Sequence, residues 1–399
     1  MSKEMTIIAL FAVLFAVIST GAPAPSINEL KTPAPAGSGQ TNLAVAADGR
    51  VFLSWIEPDS PKGFVLRFSV RGPQGWSAPK TITRGTNWFV SDADVPSIAV
   101  LTDGTLASHW FVKAAGVGPE SEAYDINVAF SKDGGSTWGK PVVPHRDGKK
   151  RQHGFVSLVP TSDGKLATIW LDGRNMASEE EGDMALMYTT IAPTGTLTAE
   201  TTIDNRACEC CKTSMTATPD GLVAVYRDRT DKEIRDISIV RFANGRWSQP
   251  EVVSKDGWEI DACPINGPAV SSAGKNVAVA WFTAPDDKQQ VNVLMSTDSG
   301  KTFGKKIRID EGNPVGRVDV VSFPSGAAAV SWVERTPQGG QVRVRTIAAN
   351  GTPAAPVNVS GSAGLQSGAF PRMIRSGDDI IVAWADASKP AQIRTAVVR

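Results

Sequence analysis

Apolar and polar positions alternate with a period of two in short stretches along this chain, and the stretches come in pairs joined by tight glycine-containing turns. Seven pairs share the pattern: "NLAVAADGRVFLSW", "PSIAVLTDGTLASHW", "VSLVPTSDGKLATIW", "TSMTATPDGLVAVY", "PAVSSAGKNVAVAW", "VDVVSFPSGAAAVSW" and "PRMIRSGDDIIVAW". A period of two puts alternate side chains on opposite faces of an extended strand, and Asp-Gly or a relative between two such runs is a hairpin signal. Each pair closes on an aromatic: Trp55, Trp110, Trp170, Tyr226, Trp281, Trp332 and Trp384, spaced 51–60 residues apart. Length alone would suggest two or more domains. Repetition at this period points instead to one solenoid or propeller.

Every unit continues alike. A polar loop leads to a third strand ("FVLRFSV", "INVAFS", "ISIVRF", "VNVLMS", "VRVRTI"), and a turn leads to a fourth ("SAPKTIT", "GKPVVP", "SQPEVVS", "KKIRI"). Four antiparallel strands per repeat make a propeller blade. The last unit ends at "QIRTAVVR" without its fourth strand, and the segment before the first, "APSINELKTPAPAGSG", is similar to the fourth-strand region of the sixth unit. The expected fold is therefore an all-β propeller of four-stranded antiparallel blades, filling residues 22–399 as one domain. Its N-terminal strand closes the last blade and removes exposed sheet edges. The count favours seven blades, with six as the alternative.

The N-terminus and the charge balance narrow the setting. Lys3 precedes an apolar run from Thr6 to Ile18, followed by Ser19, Thr20, Gly21 and Ala22. That order describes a signal peptide over residues 1–21, since the run is short for a membrane span; an uncleaved anchor is the alternative. The mature chain is then exported, periplasmic or extracellular, where thiols oxidise. Lys+Arg and Asp+Glu both number 41. Without a basic excess, neither nucleic acid nor an anionic membrane surface is an expected partner.

Two third-to-fourth turns carry a sharper signature. "SKDGGSTW" at 131–138 and "STDSGKTF" at 296–303 both fit Ser-x-Asp-x-Gly-x-Thr-Trp/Phe. Ser131 and Asp133 can bond turn amides, Gly135 can take φ > 0 and Trp138 can pack between strands; Ser296, Asp298, Gly300 and Phe303 repeat the set. These turns resemble the Asp-box (BNR) repeats of the sialidase (neuraminidase) superfamily, where such boxes brace hairpins on the face opposite the active site.

The opposite face receives the blade crossings and the second-to-third loops, which are longer and gather Asp92, Asp94, His153, Arg174, Arg227, Asp228, Arg229, Arg235, Asp261, Cys263, Arg317 and Asp319. Unusual loops converging near a propeller axis are the expected site. The resemblance implies a sugar carboxylate held by three arginines, an aspartate acid and a tyrosine nucleophile. Arg227, Arg229 and Arg317 are the candidate clamp, with Arg174 and Arg372 behind them; Asp94 or Asp228 is the candidate acid and Tyr124 the candidate nucleophile. The family's Arg-Ile-Pro motif is replaced by "DVPSIAV". The reading is an exported protein that binds, and on the resemblance hydrolyses, an anionic glycan, with no cofactor required. The charged "YRDRTDKEIRD" loop also reads as a solvated salt-bridge lattice.

"RACECCKTS" holds Cys208, Cys210 and Cys211, while Cys263 stands apart in "DACPINGP". Both segments lie in adjacent crossings. In an oxidising compartment Cys263 is expected to bond one of the three, with a second bridge open between Cys208 and Cys210 or Cys211. Direct pairing of Cys210 with Cys211 is disfavoured because neighbouring Cα atoms stand only about 3.8 Å apart. The alternative is a thiolate site for Cu(I) or Zn(II) helped by His153. It would make the protein a metal- or thiol-dependent binding module; a scaffold for a protein partner is a third class.

Overall fold

Each of the seven sequence repeats forms its own antiparallel sheet. A computed structural model describes residues 26–118, 121–178, 181–359, 370–386 and 389–399; the signal peptide expected over residues 1–21 lies outside them. The innermost strands, in blade order, are Gly39–Val45, Ser97–Val100, His153–Pro160, Ser214–Thr218, Ala269–Ala273, Pro314–Ser322 and Arg372–Ser376. Each touches the innermost strands of both neighbouring blades, and Gly39–Val45 touches Arg372–Ser376, so the ring closes at seven. Blade 2 is the thinnest: three strands, with a single bridge from Val128 to Val142 standing for the fourth. No helix among the described residues is long and apolar enough to cross a membrane.

The apolar alternation explains the packing. Its two faces supply two different cores, because a blade is covered on both sides by its neighbours. The buried apolar residues accordingly divide into seven clusters, one between each adjacent pair of blades. The closing aromatics of the second strands lie within or beside these layers and are at most 4% exposed. A buried indole needs an acceptor for its N–H. In three of the six closing tryptophans that acceptor is a carboxylate two residues on: Trp55 Nε1 donates to Glu57 (3.2 Å), Trp170 to Asp172 (2.7 Å), and Trp332 to Glu334. Trp281 uses Asp256 instead (2.7 Å), and Trp384 Nε1 is buried without a partner.

The two Ser-x-Asp-x-Gly-x-Thr turns are built alike. Ser131 Oγ accepts from Gly135 N (2.9 Å) and Asp133 Oδ1 from Thr137 N (2.9 Å); Ser296 and Asp298 repeat this with Gly300 N and Thr302 N. Gly135 (φ 81°) and Gly300 (φ 76°) take the left-handed conformation that glycine adopts without a Cβ clash. Bonds from the threonine hydroxyls, followed by the turn amides, hold both aspartates well below the usual carboxylate range.

Ile27–Leu30 pairs antiparallel with Ile393–Val398, from Ile27 opposite Val398 to Leu30 opposite Thr395, supplying the outermost strand of blade 7. Ser26 and Arg399 extend the ladder with reciprocal bonds of 3.0 Å. Deleting residues 26–38 should therefore cost about 3–5 kcal/mol, at about 1 kcal/mol for each lost backbone bond, far more than trimming a solvated tail. A melting temperature unchanged by the deletion would show that closure does not depend on this strand.

Candidate functional site

The innermost strands enclose an axial cavity of about 370 Å³. Serine, threonine and small apolar residues line most of it, and at the end reached by the blade crossings Asp94, Lys212, Asp319 and Arg372 enter its wall. Local backbone features direct the chain there. In three blades a glycine at or near the start of the innermost strand is followed by a residue in the left-handed region: Gly39-Gln40 (φ 49°), Gly154-Phe155 (φ 53°) and Gly316-Arg317 (φ 59°). A register shift accompanies each. Such bulges re-aim side chains, and strained non-glycine backbone of this kind concentrates at functional sites.

Asp94 and Tyr124, both candidates from the sequence, meet here. Tyr124 Oη donates to Asp94 Oδ2 (2.7 Å), the Phe155 amide donates to the same oxygen (2.8 Å), and Gln152 Nε2 donates to the phenol oxygen (2.9 Å). Oδ1 has no hydrogen-bond partner among the described residues. Burial pushes the Asp94 carboxyl up to about 7, against the opposing effects of the Tyr124 and Phe155 bonds and the Arg372 charge. Burial, and then the Asp94 charge, raise the Tyr124 phenol well above its ordinary range. Tyr124 is fully buried, with Phe89 stacked on it at 3.9 Å between ring centroids.

The cations beside this pair were partly missed from sequence. Lys212 is 9% exposed; its Nζ donates to the Val318 carbonyl (2.8 Å), and burial, reinforced by Arg372, draws its pKa down to about 7. Arg372 Nε is buried without a hydrogen-bond partner. Asp319 ties blade 6 to blade 7 by accepting from Met373 N (2.8 Å), and its charge acts on both cations. A lone lysine before an apolar strand, as in "CCKTSM", was the available signal for Lys212.

The other arginines have different employment, and the clamp of Arg227, Arg229 and Arg317 does not form from free donors. Arg227 is 1% exposed and gives its donors to the carbonyls of Asn266, Arg235 and Phe282, with its guanidinium 4.8 Å from the Trp258 ring centroid. Arg229 pairs with Glu233 (2.9 Å), and Arg174 with Asp172 (2.7 Å) and Glu200 (2.8 Å). Arg317 keeps a buried, unpartnered Nε; its Nη1 donates to the Ile265 carbonyl and its guanidinium lies 4.4 Å from the Phe370 ring centroid. Asp228 accepts from Ser238 Oγ (2.7 Å) and the Arg229 amide (2.8 Å), and burial raises its pKa.

Cys263 is bonded to Cys210, linking the crossings into blades 4 and 5. Cys208 and Cys211 are buried thiols with sulfurs 3.4 Å apart, so the second bridge is absent and two of the four sulfurs are already paired. The hydrogen bond from Cys211 draws the Cys208 thiol down to about 7 against its burial, helped by the charges of Arg227 and Arg235. His153 is not their neighbour: it stacks on His145, ring centroids 3.6 Å apart, among carboxylates contributed by blades 2 and 3 and the crossing between them.

No known protein family matches the chain, and no curated protein does. Among solved structures it is similar to the polysaccharide lyase Uly1, at 9% identity and TM-score 0.55 over 92% of this chain and 90% of that one. It is also similar to the α-L-arabinofuranosidase of Fusarium graminearum solved with arabinobiose, at 16% identity and TM-score 0.50 over 91% and 93%. A NanB sialidase from Streptococcus pneumoniae aligns at 10% identity and TM-score 0.48 over 94% of each chain. What the chain shares with these structures is the fold, a seven-bladed β-propeller.

Two measurements check this geometry. A Cβ on Gly154 would stand 2.1 Å from Asp94 Oδ2 and 2.3 Å from Tyr124 Oη. Gly154→Ala should therefore cost about 1–3 kcal/mol in a denaturant melt, as overpacking does; a neutral result would mean the pair is loosely held. The denatured, unreduced chain should show two titratable thiols, and four after reduction.

Proposed function

We propose that this chain is an exported carbohydrate-active propeller that takes an acidic sugar into the axial mouth, where Asp94 protonates the glycosidic oxygen during hydrolysis. The observation that carries the reading is Asp94 itself: a buried carboxyl balanced near neutrality, with Oδ2 fixed by two donors and Oδ1 left without a partner, on the wall of the cavity. A general acid works best with its pKa near the working pH. Arg372 and Lys212 supply the charge that would receive the sugar's anionic group, and the unpartnered Arg372 Nε gains an acceptor when it does. Tyr124 acts in this scheme as a positioning residue, because it is buried beneath Phe89 and its hydroxyl is committed to Asp94. Export is supported by the apolar run behind Lys3 and by the Cys210–Cys263 bond, which suits an oxidising compartment.

The test is a panel of fluorogenic glycosides bearing sialic or uronic acids, assayed from pH 4 to 9. Asp94→Asn should lower kcat by about 10²–10⁴-fold with little change in KM, the usual contribution of a general acid. Arg372→Ala should raise KM instead. Because the acid form of Asp94 is the active one, the wild-type rate should fall as pH rises through about 7. Failure of the wild-type protein to turn over or bind any acidic glycoside would defeat the reading.

A further inference from the structure

Behind the axial pair, where the crossing from blade 2 enters blade 3, two of the chain's three histidines meet three aspartates. His145 and Asp147 lie in the crossing, His153 opens the strand His153–Pro160, and Asp172 is its cross-strand partner at the end of Leu166–Asp172. The His153 side chain is fully buried. Its Nδ1 stands 3.2 Å from the Tyr124 carbonyl, which can only accept, so Nδ1 carries a hydrogen. In the neutral ring the bare lone pair is then on Nε2. That atom faces Asp147 Oδ1 at 3.2 Å and Asp172 Oδ1 at 3.7 Å.

Nε2 and Asp147 Oδ1 are both buried without a hydrogen-bond partner, although they are only 3.2 Å apart, because neither is aligned on the other. A lone pair directed beside an anionic oxygen is unfavourable with nothing between them. Two ligands bound side by side to one cation have this relation. With bonds of about 2.0–2.2 Å they stand roughly 3.0–3.6 Å apart, their lone pairs converging on a common point. The surroundings complete the arrangement. His153 is oriented through Nδ1 by a backbone carbonyl. His145 accepts from the Ile126 amide at Nε2 (3.3 Å), so its Nδ1–H is directed to the Asp147 side, 3.6 Å from Oδ1. Asp172 Oδ2 accepts from Trp170 Nε1 and Arg174 Nη2 (2.7 Å each), and its Oδ1 from the Arg174 amide and Nε (2.9 Å each), so a cation at Oδ1 would share that oxygen with Arg174. Outer partners of this kind fix metal ligands in place. Arg174 pairs with Asp172, while Asp125 and Asp147 face only the two imidazoles among the described ion pairs, leaving negative charge for a cation to balance.

We propose that His153 Nε2, Asp147 Oδ1 and Asp172 Oδ1 bind one divalent cation of the zinc or manganese type, water completing its shell, and that this ion braces the Tyr124–Asp94 pair from behind. One imidazole with two carboxylates suits these ions better than softer ones that prefer sulfur. The site is separate from the cysteines and stands whether or not the axial mouth cleaves a glycan.

The test uses the whole exported chain, stripped with a chelator and titrated separately with Zn²⁺ and Mn²⁺, followed by calorimetry, elemental analysis and melting temperature. Uptake of one ion per chain with a raised melting temperature is expected. His153→Gln and Asp147→Asn should each abolish stoichiometric uptake, and the second covers the case in which the first does not fold. His145→Gln, which acts through Asp147, should weaken affinity about 10–100-fold. A Cys208→Ser/Cys211→Ser variant should bind as the wild type does. The proposal is overturned if the stripped protein takes up neither ion, which would leave His153 as an imidazolium paired with the aspartates. It is equally overturned if uptake survives both ligand substitutions or is lost with the cysteines.

Discussion

Closure of the ring is the constraint on which everything else rests. The residues at the axial mouth come from five different parts of the circle: Asp94 and Tyr124 from blade 2 and its approach, Phe155 from blade 3, Lys212 before blade 4, Asp319 from blade 6 and Arg372 from blade 7. No two adjacent blades could assemble them. A blade buries its faces only against neighbours, as the seven inter-blade layers show, so its position is fixed by both sides at once. Without the Ile27–Leu30 strand, blade 7 would end on an open edge, and blade 7 carries Arg372.

Low dielectric at the axis then decides the chemistry. Asp94 and Lys212 are both drawn toward neutrality by burial, from opposite directions, and the Arg372 charge acts on each. It stabilises the carboxylate and destabilises the ammonium, so the three groups respond as a unit to an arriving anion. Holding them costs backbone strain: Phe155, Arg317 and Ile265 adopt left-handed conformations worth about 1–3 kcal/mol each. The Phe155 amide gives part of that back by donating to Asp94, and the Arg317 amide by donating to Asn266 Oδ1 (2.8 Å).

What could be read from the chain follows the range of the interactions involved. Blade boundaries were legible because hairpins and their closing aromatics are local, and seven-fold repetition confirms each instance by the others. Closure was legible as a missing strand at one end matched by a spare one at the other. The Asp94–Tyr124 contact was not, since it joins positions 30 residues apart through a bulge at Gly154. Nor was the fate of the arginines: Arg227 and Arg372 look alike in sequence, yet one spends its donors on backbone carbonyls and the other keeps Nε unpaired. His153 misled for the same reason. Its neighbours are set by its cross-strand pairing with Asp172 and by the crossing through His145, which bring carboxylates rather than sulfur.

The crowding of cysteine at 208–211 has a mechanical explanation in this frame. Lys212 directly follows the cluster, and a Cβ on Gly267 would meet the Lys212 carbonyl at 2.1 Å, so the crossing into blade 5 lies flat against the lysine's backbone. The same crossing carries Ile265 and Asn266, which receive donors from Arg317 and Arg227. The Cys210–Cys263 bond fastens the two crossings just before this contact on either strand. A buried lysine without a carboxylate partner pulls toward solvent, and the cross-link opposes that motion by restricting the loops that would have to open. The sulfurs thus contribute to the axial mouth through Lys212 and Arg317, without entering the cavity themselves.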